Sequence, residues 1–230
     1  MQENLVKDRN NAFVLVTEGR VFVNGQKAVS PAQVVGDSAK IEIRDAQKYV
    51  GRGAYKLEAA LKNFAIGVED KTCLDVGSAT GGFVQVLLEY GAKKVYAIDT
   101  AKGKLALKLR ENPKVVVMEE MDIRDLEKLP ELVNIVTIDV SLISLRNILP
   151  HVGRFLEKDG EVVALFKPQY ETRNQKILKH GVIKDAESRE NLLNDFLKWA
   201  DENNWRVLGK MESPIQGNSG NVEYLLYITL

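Results

Sequence analysis

The chain has almost no cysteine and no excess of charge. Cys73 is the single cysteine among 230 residues and lies in an apolar run. It therefore predicts a buried thiol, and a disulfide or metal framework within one chain is excluded. The 32 Lys and Arg residues balance the 32 Asp and Glu residues. A net charge near zero removes the simplest electrostatic argument for nucleic-acid binding, although it permits a local basic patch.

Long apolar stretches are missing as well. No run of apolar residues approaches the roughly 20 that a membrane-spanning helix needs, and the N-terminus lacks the pattern of a signal peptide. We therefore expect a soluble, cytoplasmic protein without stable membrane insertion. The length allows one large domain, or one large and one small domain.

One stretch organises the remainder of the chain. Residues 72–76 form a short apolar run that predicts a buried strand, and Phe83 opens a set of apolar positions with the period of a helix. The small residues between them let backbone N–H groups and a ligand approach each other closely. The candidate cofactor-binding residues of this stretch are Asp75, Gly77, Ser78, Ala79, Thr80, Gly81, Gly82 and Phe83.

The next strand, residues 94–98, ends in Asp99. This acid is near the spacing at which a carboxylate accepts hydrogen bonds from ribose hydroxyls in dinucleotide-binding folds. The loop has no glycine at the second position of the G-x-G-x-x-G fingerprint, which disfavours NAD. S-adenosylmethionine is therefore the better candidate cofactor. The alternative is a glycine-rich turn that binds nothing, followed by an exposed Asp99.

Strands and helices alternate through the remaining chain, which predicts a Rossmann-like, doubly wound α/β sheet. The predicted elements are a helix over 102–110, strands over 114–118 and 134–141, a helix over 145–156, a strand over 161–166, a helix over 186–204 and strands over 205–211 and 222–228.

Polar residues recur at the carboxyl ends of these strands, where open α/β sheets bind their ligands. Asp139 ends the fourth strand and Lys167 ends the fifth. Asp122 follows the third strand, where it can accept a hydrogen bond from an adenine amine while Ile123 packs on the ring. It can equally cap a helical turn.

Residues 1–45 differ from the rest. A helix starts near Asp8, the dipeptide Asn24-Gly25 predicts a hairpin turn, and residues 40–43 form a short strand. With Gly19 to Lys27, this pattern resembles the S4 domain, a small α+β RNA-binding fold. The resemblance implies that Arg9, Arg20 and Lys27 contact RNA phosphates. It also implies a module truncated at its N-terminus, with residues 2–7 as the remnant of a first helix. The alternative is an accessory module that binds nothing.

After a linker over residues 46–50, residues 51–230 resemble the FtsJ-like ribose 2′-O-methyltransferases. Those enzymes use a Lys-Asp-Lys-Glu set, and the resemblance implies that these residues are catalytic. Lys56 stands in Arg-Gly-Ala-Tyr-Lys-Leu, Asp139 in Ile-Asp-Val-Ser, Lys167 in Phe-Lys-Pro-Gln, and Glu223 in Gly-Asn-Val-Glu-Tyr of the last strand. Each residue also has a structural alternative. Lys56 can be a solvated lysine on a helix, Asp139 a helix cap, Lys167 a structural partner of Glu223, and Glu223 an ordinary exposed strand residue.

Module and core together resemble the TlyA family, historically named hemolysins and known as rRNA 2′-O-methyltransferases. The resemblance implies ribosomal RNA in ribosomal subunits as partner and cytidine as target. Arg52 and Arg173 are further candidate RNA contacts, although the loop carrying Arg173 also suits an ordinary charged surface. Two rival classes are an RNA-binding protein with an inactive core and a membrane-active hemolysin.

Overall fold

The computed structural model describes residues 5–6, 8–17, 19–36, 38–43 and 48–230. The chain divides into two compact units, residues 1–48 and residues 49–230. The predicted remnant of a first helix, residues 2–7, falls largely outside the described residues, and so does part of the predicted linker.

The described residues of the N-terminal unit form one helix and a small antiparallel sheet with the order β2-β1-β3. Asn24 and Gly25 both have positive φ, as a two-residue hairpin turn requires, which confirms the predicted turn between β1 and β2. The Asn24 side chain also accepts a hydrogen bond from Lys40 N at 2.9 Å. The elements are α1 (Arg9–Thr17), β1 (Val21–Val23), β2 (Gln26–Lys27) and β3 (Ile41–Ile43).

The second unit contains a seven-stranded sheet with the order β6-β5-β4-β7-β8-β10-β9. Strands β4 to β8 run parallel, whereas β10 is antiparallel to both of its neighbours. The elements are α2 (Gly53–Asn63), β4 (Thr72–Val76), α3 (Gly82–Glu89), β5 (Lys94–Asp99), α4 (Leu107–Arg110), β6 (Val115–Glu119), β7 (Val133–Ile138), α5 (Leu149–Val152), β8 (Leu156–Phe166), α6 (Pro168–Glu171), α7 (Ala186–Glu202), β9 (Arg206–Glu212) and β10 (Tyr224–Thr229).

Two hydrophobic clusters cover the two faces of this sheet. Along β4, Leu74 and Cys73 point to opposite faces, as the period of a strand dictates. The first cluster includes Phe196 of α7, and the second includes Leu57 of α2 and Leu87 of α3. The predicted doubly wound sheet is therefore confirmed. Because the central strands are parallel, their carboxyl ends lie along one edge.

Tyr49 belongs to the second unit, two residues before the predicted start at residue 51. Its side chain is 3% exposed within the core, and Val50 N donates to Gln85 Oε1 at 2.9 Å. Among the described residues, none of the helices is both long and apolar enough to cross a membrane.

Two predicted helices are shorter than the sequence pattern indicates. The helix predicted over 102–110 exists only as α4, because Gly103 has positive φ and the Glu119 carboxylate accepts hydrogen bonds from the backbone of Gly103 and Leu105. The helix predicted over 145–156 is broken into a 3-10 turn, α5 and a second 3-10 turn. Pro150 stands within the first turn of α5, where proline starts a helix rather than continues one.

Candidate active site

Glycines shape the connection between β4 and α3. Gly77 has a φ of +85°, and a Cβ at this position would lie 2.4 Å from the carbonyl oxygen of Asp139. Gly81 has a φ of +94°, and a Cβ there would lie 2.3 Å from Leu109 Cδ1. A side chain at either position would therefore clash, so these glycines let the loop pack closely against the end of β7 and against α4.

The loop residues divide into two groups. Gly77 and Ala79 line two adjoining cavities at the carboxyl edge of the sheet, and Thr80 lines the second of these. Ser78, Gly81, Gly82 and Phe83 face the protein instead: Ser78 and Phe83 are buried, and a Cβ on Gly82 would lie 3.0 Å from Ala54 N. The start of the loop is thus available to a ligand, whereas its end serves helix packing.

The first cavity has a volume of about 1150 Å³. Asp99 lines it and accepts hydrogen bonds at 2.7 Å from the backbone N–H groups of Ala79 and Ala101, one on each carboxylate oxygen. A carboxylate has about four acceptor sites, so Asp99 can still accept hydrogen bonds from a ligand. Met121 and Ile123 supply apolar wall to the same cavity.

Asp122, beside Ile123 in the wall of the first cavity, forms an ion pair with Arg124. Their closest approach is 2.6 Å, between Arg124 Nη2 and Asp122 Oδ2, and these side-chain hydrogen bonds lower the pKa of Asp122. The Asp122 carboxylate also accepts from Arg124 N at 2.9 Å, which makes it the cap of a turn. The turn-capping alternative is therefore realised, while the carboxylate still borders the cavity.

The second cavity, of about 910 Å³, collects the predicted catalytic residues. Lys56, Asp139, Lys167 and Glu223 all line it, although they come from four separate parts of the chain. Glu223 directly precedes β10 rather than lying within it. Asp139 lines both cavities, and the two cavities therefore meet at this carboxylate.

Lys167 follows β8, and its ammonium group lies among three acceptors just after β7. Its Nζ is 2.7 Å from Asp139 Oδ1, 2.8 Å from the Val140 carbonyl and 3.2 Å from Ser141 Oγ. An ammonium group has three N–H donors. All three donors therefore have an acceptor, and these contacts hold the ammonium group in a fixed position.

Lys56 of α2 forms the second ion pair of the site. Its Nζ lies 2.5 Å from Glu223 Oε2, and the two side chains are 9% and 4% exposed. Gln169 Nε2 donates weakly to the other oxygen of Glu223, at 3.4 Å. The predicted alternative of a Lys167–Glu223 pair is wrong, because Lys167 pairs with Asp139 and Glu223 pairs with Lys56.

Asp75 is completely buried in β4 and lies outside the lining of both cavities. Thr137 Oγ1 donates to its Oδ1 at 2.6 Å, and Oδ2 has no hydrogen-bond partner among the described residues. Burial raises the pKa of Asp75 to about 7, since charge is costly away from water.

The candidate RNA contacts are spread over both units. Arg52 lines the second cavity and donates to Asn218 Oδ1 at 3.1 Å and to the Gln216 carbonyl at 3.0 Å. Arg173 is exposed and lines the first cavity. Within the N-terminal unit, Arg9 is exposed at the start of α1, Arg20 is half-buried before β1, and Lys27 is exposed in β2.

Ser141, Gln169 and Asn221 also belong to the site, although none of them was predicted from the sequence. Asn221 is buried, donates to the Gly181 carbonyl at 2.9 Å and accepts from Ile183 N at 3.1 Å. It thus holds Gly181, which lines the second cavity, in place. All three residues lie within or next to motifs that mark the site, and this proximity is the signal that could have found them.

The strand order and the paired cavities at the carboxyl edge of the sheet define a Rossmann-like methyltransferase fold. The chain belongs to the FtsJ-like methyltransferase family, which matches residues 49–229. This membership confirms the resemblance of residues 51–230 to the FtsJ-like methyltransferases.

Three relatives match nearly the whole chain. Hemolysin A of Brachyspira hyodysenteriae is 38% identical, and the match covers 99% of this chain and 96% of the relative. The 16S/23S rRNA (cytidine-2'-O)-methyltransferase TlyA of Mycobacterium tuberculosis is 38% identical, with 99% of this chain and 87% of the relative covered. A solved Streptococcus thermophilus structure, provisionally named a hemolysin, is 36% identical with a TM-score of 0.77, covering 97% of this chain and 83% of that one.

Proposed function

We propose that the chain is an S-adenosylmethionine-dependent ribose 2′-O-methyltransferase that acts on cytidine in ribosomal RNA. The observation that carries this proposal is the cluster of two ion pairs, Lys56–Glu223 and Lys167–Asp139, in the wall of one cavity. This second cavity adjoins the first cavity, whose acceptors and apolar walls suit an adenosyl group. Family membership and the names of the relatives support the same reaction.

The first cavity fits the cofactor by the chemistry of its lining. Asp99 has spare acceptor sites for the two ribose hydroxyls, and Met121 and Ile123 offer apolar contact to adenine. Asp122 borders the same region and can accept from the adenine amine beside its pair with Arg124. The cofactor supplies an electrophilic methyl group on a sulfonium.

The residues of the second cavity orient the ribose hydroxyl that receives the methyl group. Lys167 is held by three acceptors around Nζ, and the hydroxyl oxygen is oriented when it takes the place of one of these acceptors. Asp139 stands between the two cavities and balances this charge. The proton of the hydroxyl passes to a carboxylate of the cluster, and Lys56 and Glu223 hold the ribose in place.

The RNA backbone contacts basic side chains outside this cluster. Arg52 and Arg173 border the two cavities, where phosphates next to the target nucleotide would lie. Arg9, Arg20 and Lys27 contribute further contacts from the N-terminal unit, whose helix and hairpin support the resemblance to an S4 domain. The partner is ribosomal RNA assembled in ribosomal subunits, in the cytoplasm.

The test is transfer of labelled methyl from S-adenosylmethionine to ribosomal subunits from a strain that lacks this modification. Small subunits, large subunits and free rRNA are assayed separately, and the product is digested to nucleosides. We expect the label in 2′-O-methylcytidine. Lys167→Ala should abolish transfer while the affinity for the cofactor persists, whereas Lys158→Ala, at an exposed lysine of β8, should leave transfer unchanged.

Three results would contradict the proposal. Label on a base rather than a ribose would mean another reaction, and wild-type turnover by Lys167→Ala would remove the assigned role of this lysine. Binding of both the cofactor and RNA without transfer would indicate an RNA-binding protein with an inactive core. Charge reversal of Arg9 and Lys27 adds an independent arm: it should weaken RNA binding and reduce its salt dependence without changing the affinity for the cofactor.

A further inference from the structure

The segments that follow β7 and β8 are joined at two places. At the first, Lys167 donates to three acceptors just after β7, as described above. At the second, at the other end of α6, the Glu171 carboxylate accepts from Ser144 Oγ at 2.5 Å and from Leu145 N at 2.7 Å. The first contact belongs to the catalytic cluster, whereas the second has no role in the mechanism above.

Glu171 is an unusual residue to find in such a position, because its side chain is only 2% exposed. Burial raises the pKa of Glu171, while the hydrogen bonds from Ser144 and Leu145 and the charge of Arg146 act in the opposite direction. Arg146 Nε lies 3.9 Å from Glu171 Oε2. A buried carboxylate is costly unless its acceptors are used, and here each oxygen accepts one hydrogen bond.

Between the two contacts, the chain passes through Leu142, which has a φ of 66° and is 87% exposed. This residue is in a conformation that bulky side chains disfavour, and little packing holds it there. The geometry of Val140 and Ser141, which accept from Lys167, therefore depends on how the segment is anchored farther along. Glu171 supplies that anchor at the start of the 3-10 turn over Leu145–Asn147.

We propose that Glu171 is a positioning residue for methyl transfer: by holding Ser144 and Leu145, it keeps the segment after β7 in the arrangement that fixes Lys167 against Asp139. This inference rests on the proposed function. Glu171 and Ser144 also line the first cavity, so the affinity for the cofactor has to be measured separately. We expect loss of Glu171 to lower kcat by more than it weakens the binding of RNA or cofactor, because its contacts act on the catalytic cluster through the segment after β7.

The experiment is a double-mutant cycle with Glu171→Gln and Ser144→Ala, assayed by steady-state methyl transfer. Glutamine has one carbonyl acceptor in place of two carboxylate oxygens, and we expect kcat to fall about 10- to 100-fold. KM for RNA should stay near the wild-type value, and the loss of cofactor affinity should be smaller than the loss of kcat, although Glu171 lines the first cavity. Glu171→Ala should be slower still. The losses should be less than additive in the double variant, because both changes affect the hydrogen bond between Ser144 and Glu171, although Ser144→Ala also removes the acceptor of Arg146 N. Glu157→Gln, at an exposed glutamate of β8, is the matched control.

A wild-type kcat in Glu171→Gln, or additive losses in the double variant, would overturn the inference. A lower Tm together with a loss of cofactor affinity as large as the loss of kcat would also overturn it, because this result would indicate a purely structural role. The wild-type protein is measured in the same assay, so an inactive wild type refutes the proposed function. An active wild type with an equally active Glu171→Gln refutes only the role of Glu171.

Discussion

The buried pair of Lys56 and Glu223 allows the contributions to stability and to catalysis to be separated. Its atoms are 2.5 Å apart and its side chains are 9% and 4% exposed, so neither charge can turn to water when its partner is removed. Removal of one partner from such a pair costs about 3–5 kcal/mol.

We therefore expect Glu223→Leu and Lys56→Met each to lower the free energy of unfolding by about 3–5 kcal/mol. The double variant places two apolar side chains against each other and should recover most of this loss, since an apolar pair of similar volume is often as stable as a buried ion pair. Methyl transfer should be absent from all three variants. Urea unfolding measures the stability, and incorporation of labelled methyl into rRNA measures the activity.

Lys198→Met is the matched control, because Lys198 forms a 3.8 Å pair with Glu202 on α7 and both side chains are largely exposed. It should leave both stability and activity unchanged. A double variant as unstable as the single ones would show that Lys56 and Glu223 depend on partners outside the pair. A double variant that still transfers methyl would show that the pair is structural.

Three further outcomes follow from the site. Asp99→Ala should weaken cofactor binding about 10- to 100-fold in calorimetric titration, because a charged acceptor for ribose is lost. Burial raises the pKa of Asp75 to about 7, above its unfolded value of about 3.9. The protonated carboxyl group therefore contributes its full stability below about pH 4, and this contribution is lost as the pH rises through about 7. Asp75→Asn cannot lose a proton and should flatten this part of the profile of Tm against pH. Gly77→Ala should lower the free energy of unfolding by more than the roughly 1–2 kcal/mol of a left-handed conformation, because its Cβ would also meet the Asp139 carbonyl.

The sequence was sufficient to predict the sheet and the edge at which the site lies. Strand β5 is an apolar run that ends in Asp99, and β7 is an apolar run that ends directly before Asp139. Since parallel strands present their carboxyl ends on one side, Asp99, Asp139 and Lys167 could be assigned to one edge without knowledge of any contact.

The two shortened helices show where local patterns fail. The Glu119 carboxylate, which follows Gly103 by sixteen positions in the sequence, accepts from the backbone of Gly103 and Leu105 and keeps that segment out of a helix. Helix propensity is a weak preference, and such tertiary hydrogen bonds readily outweigh it. The sequence pattern contains no information about which carboxylate will reach a given backbone N–H.

The pairing inside the site could not be predicted for a related reason. The register of β10 places Tyr224 opposite Phe166, which brings Glu223 to the same edge as Lys167. A pair between Lys167 and Glu223 is therefore compatible with the strand pairing, but it is not the pair that forms. The actual partners depend on α2, which brings Lys56 to Glu223, and on the turn after β7, which offers Lys167 three acceptors.

This pairing bears on which part of an RNA the second cavity accepts. A phosphate binds where positive charge is not already balanced by carboxylates. Lys167 already has an acceptor for each of its three donors, and Lys56 is paired with Glu223, so two lysines and two carboxylates form a cluster with no net charge. Such a cluster disfavours an anion but suits a neutral hydroxyl, which can exchange hydrogen bonds with the donors and acceptors already there.

Arg52 can still hold a phosphate at the border of the same cavity. Its guanidinium group has five donors, and two of them have acceptors on the neighbouring loop. The lysines are balanced by carboxylates, whereas Arg52 has unused donors. The site therefore favours a ribose at the cluster and the phosphate of the same nucleotide at the border of the cavity.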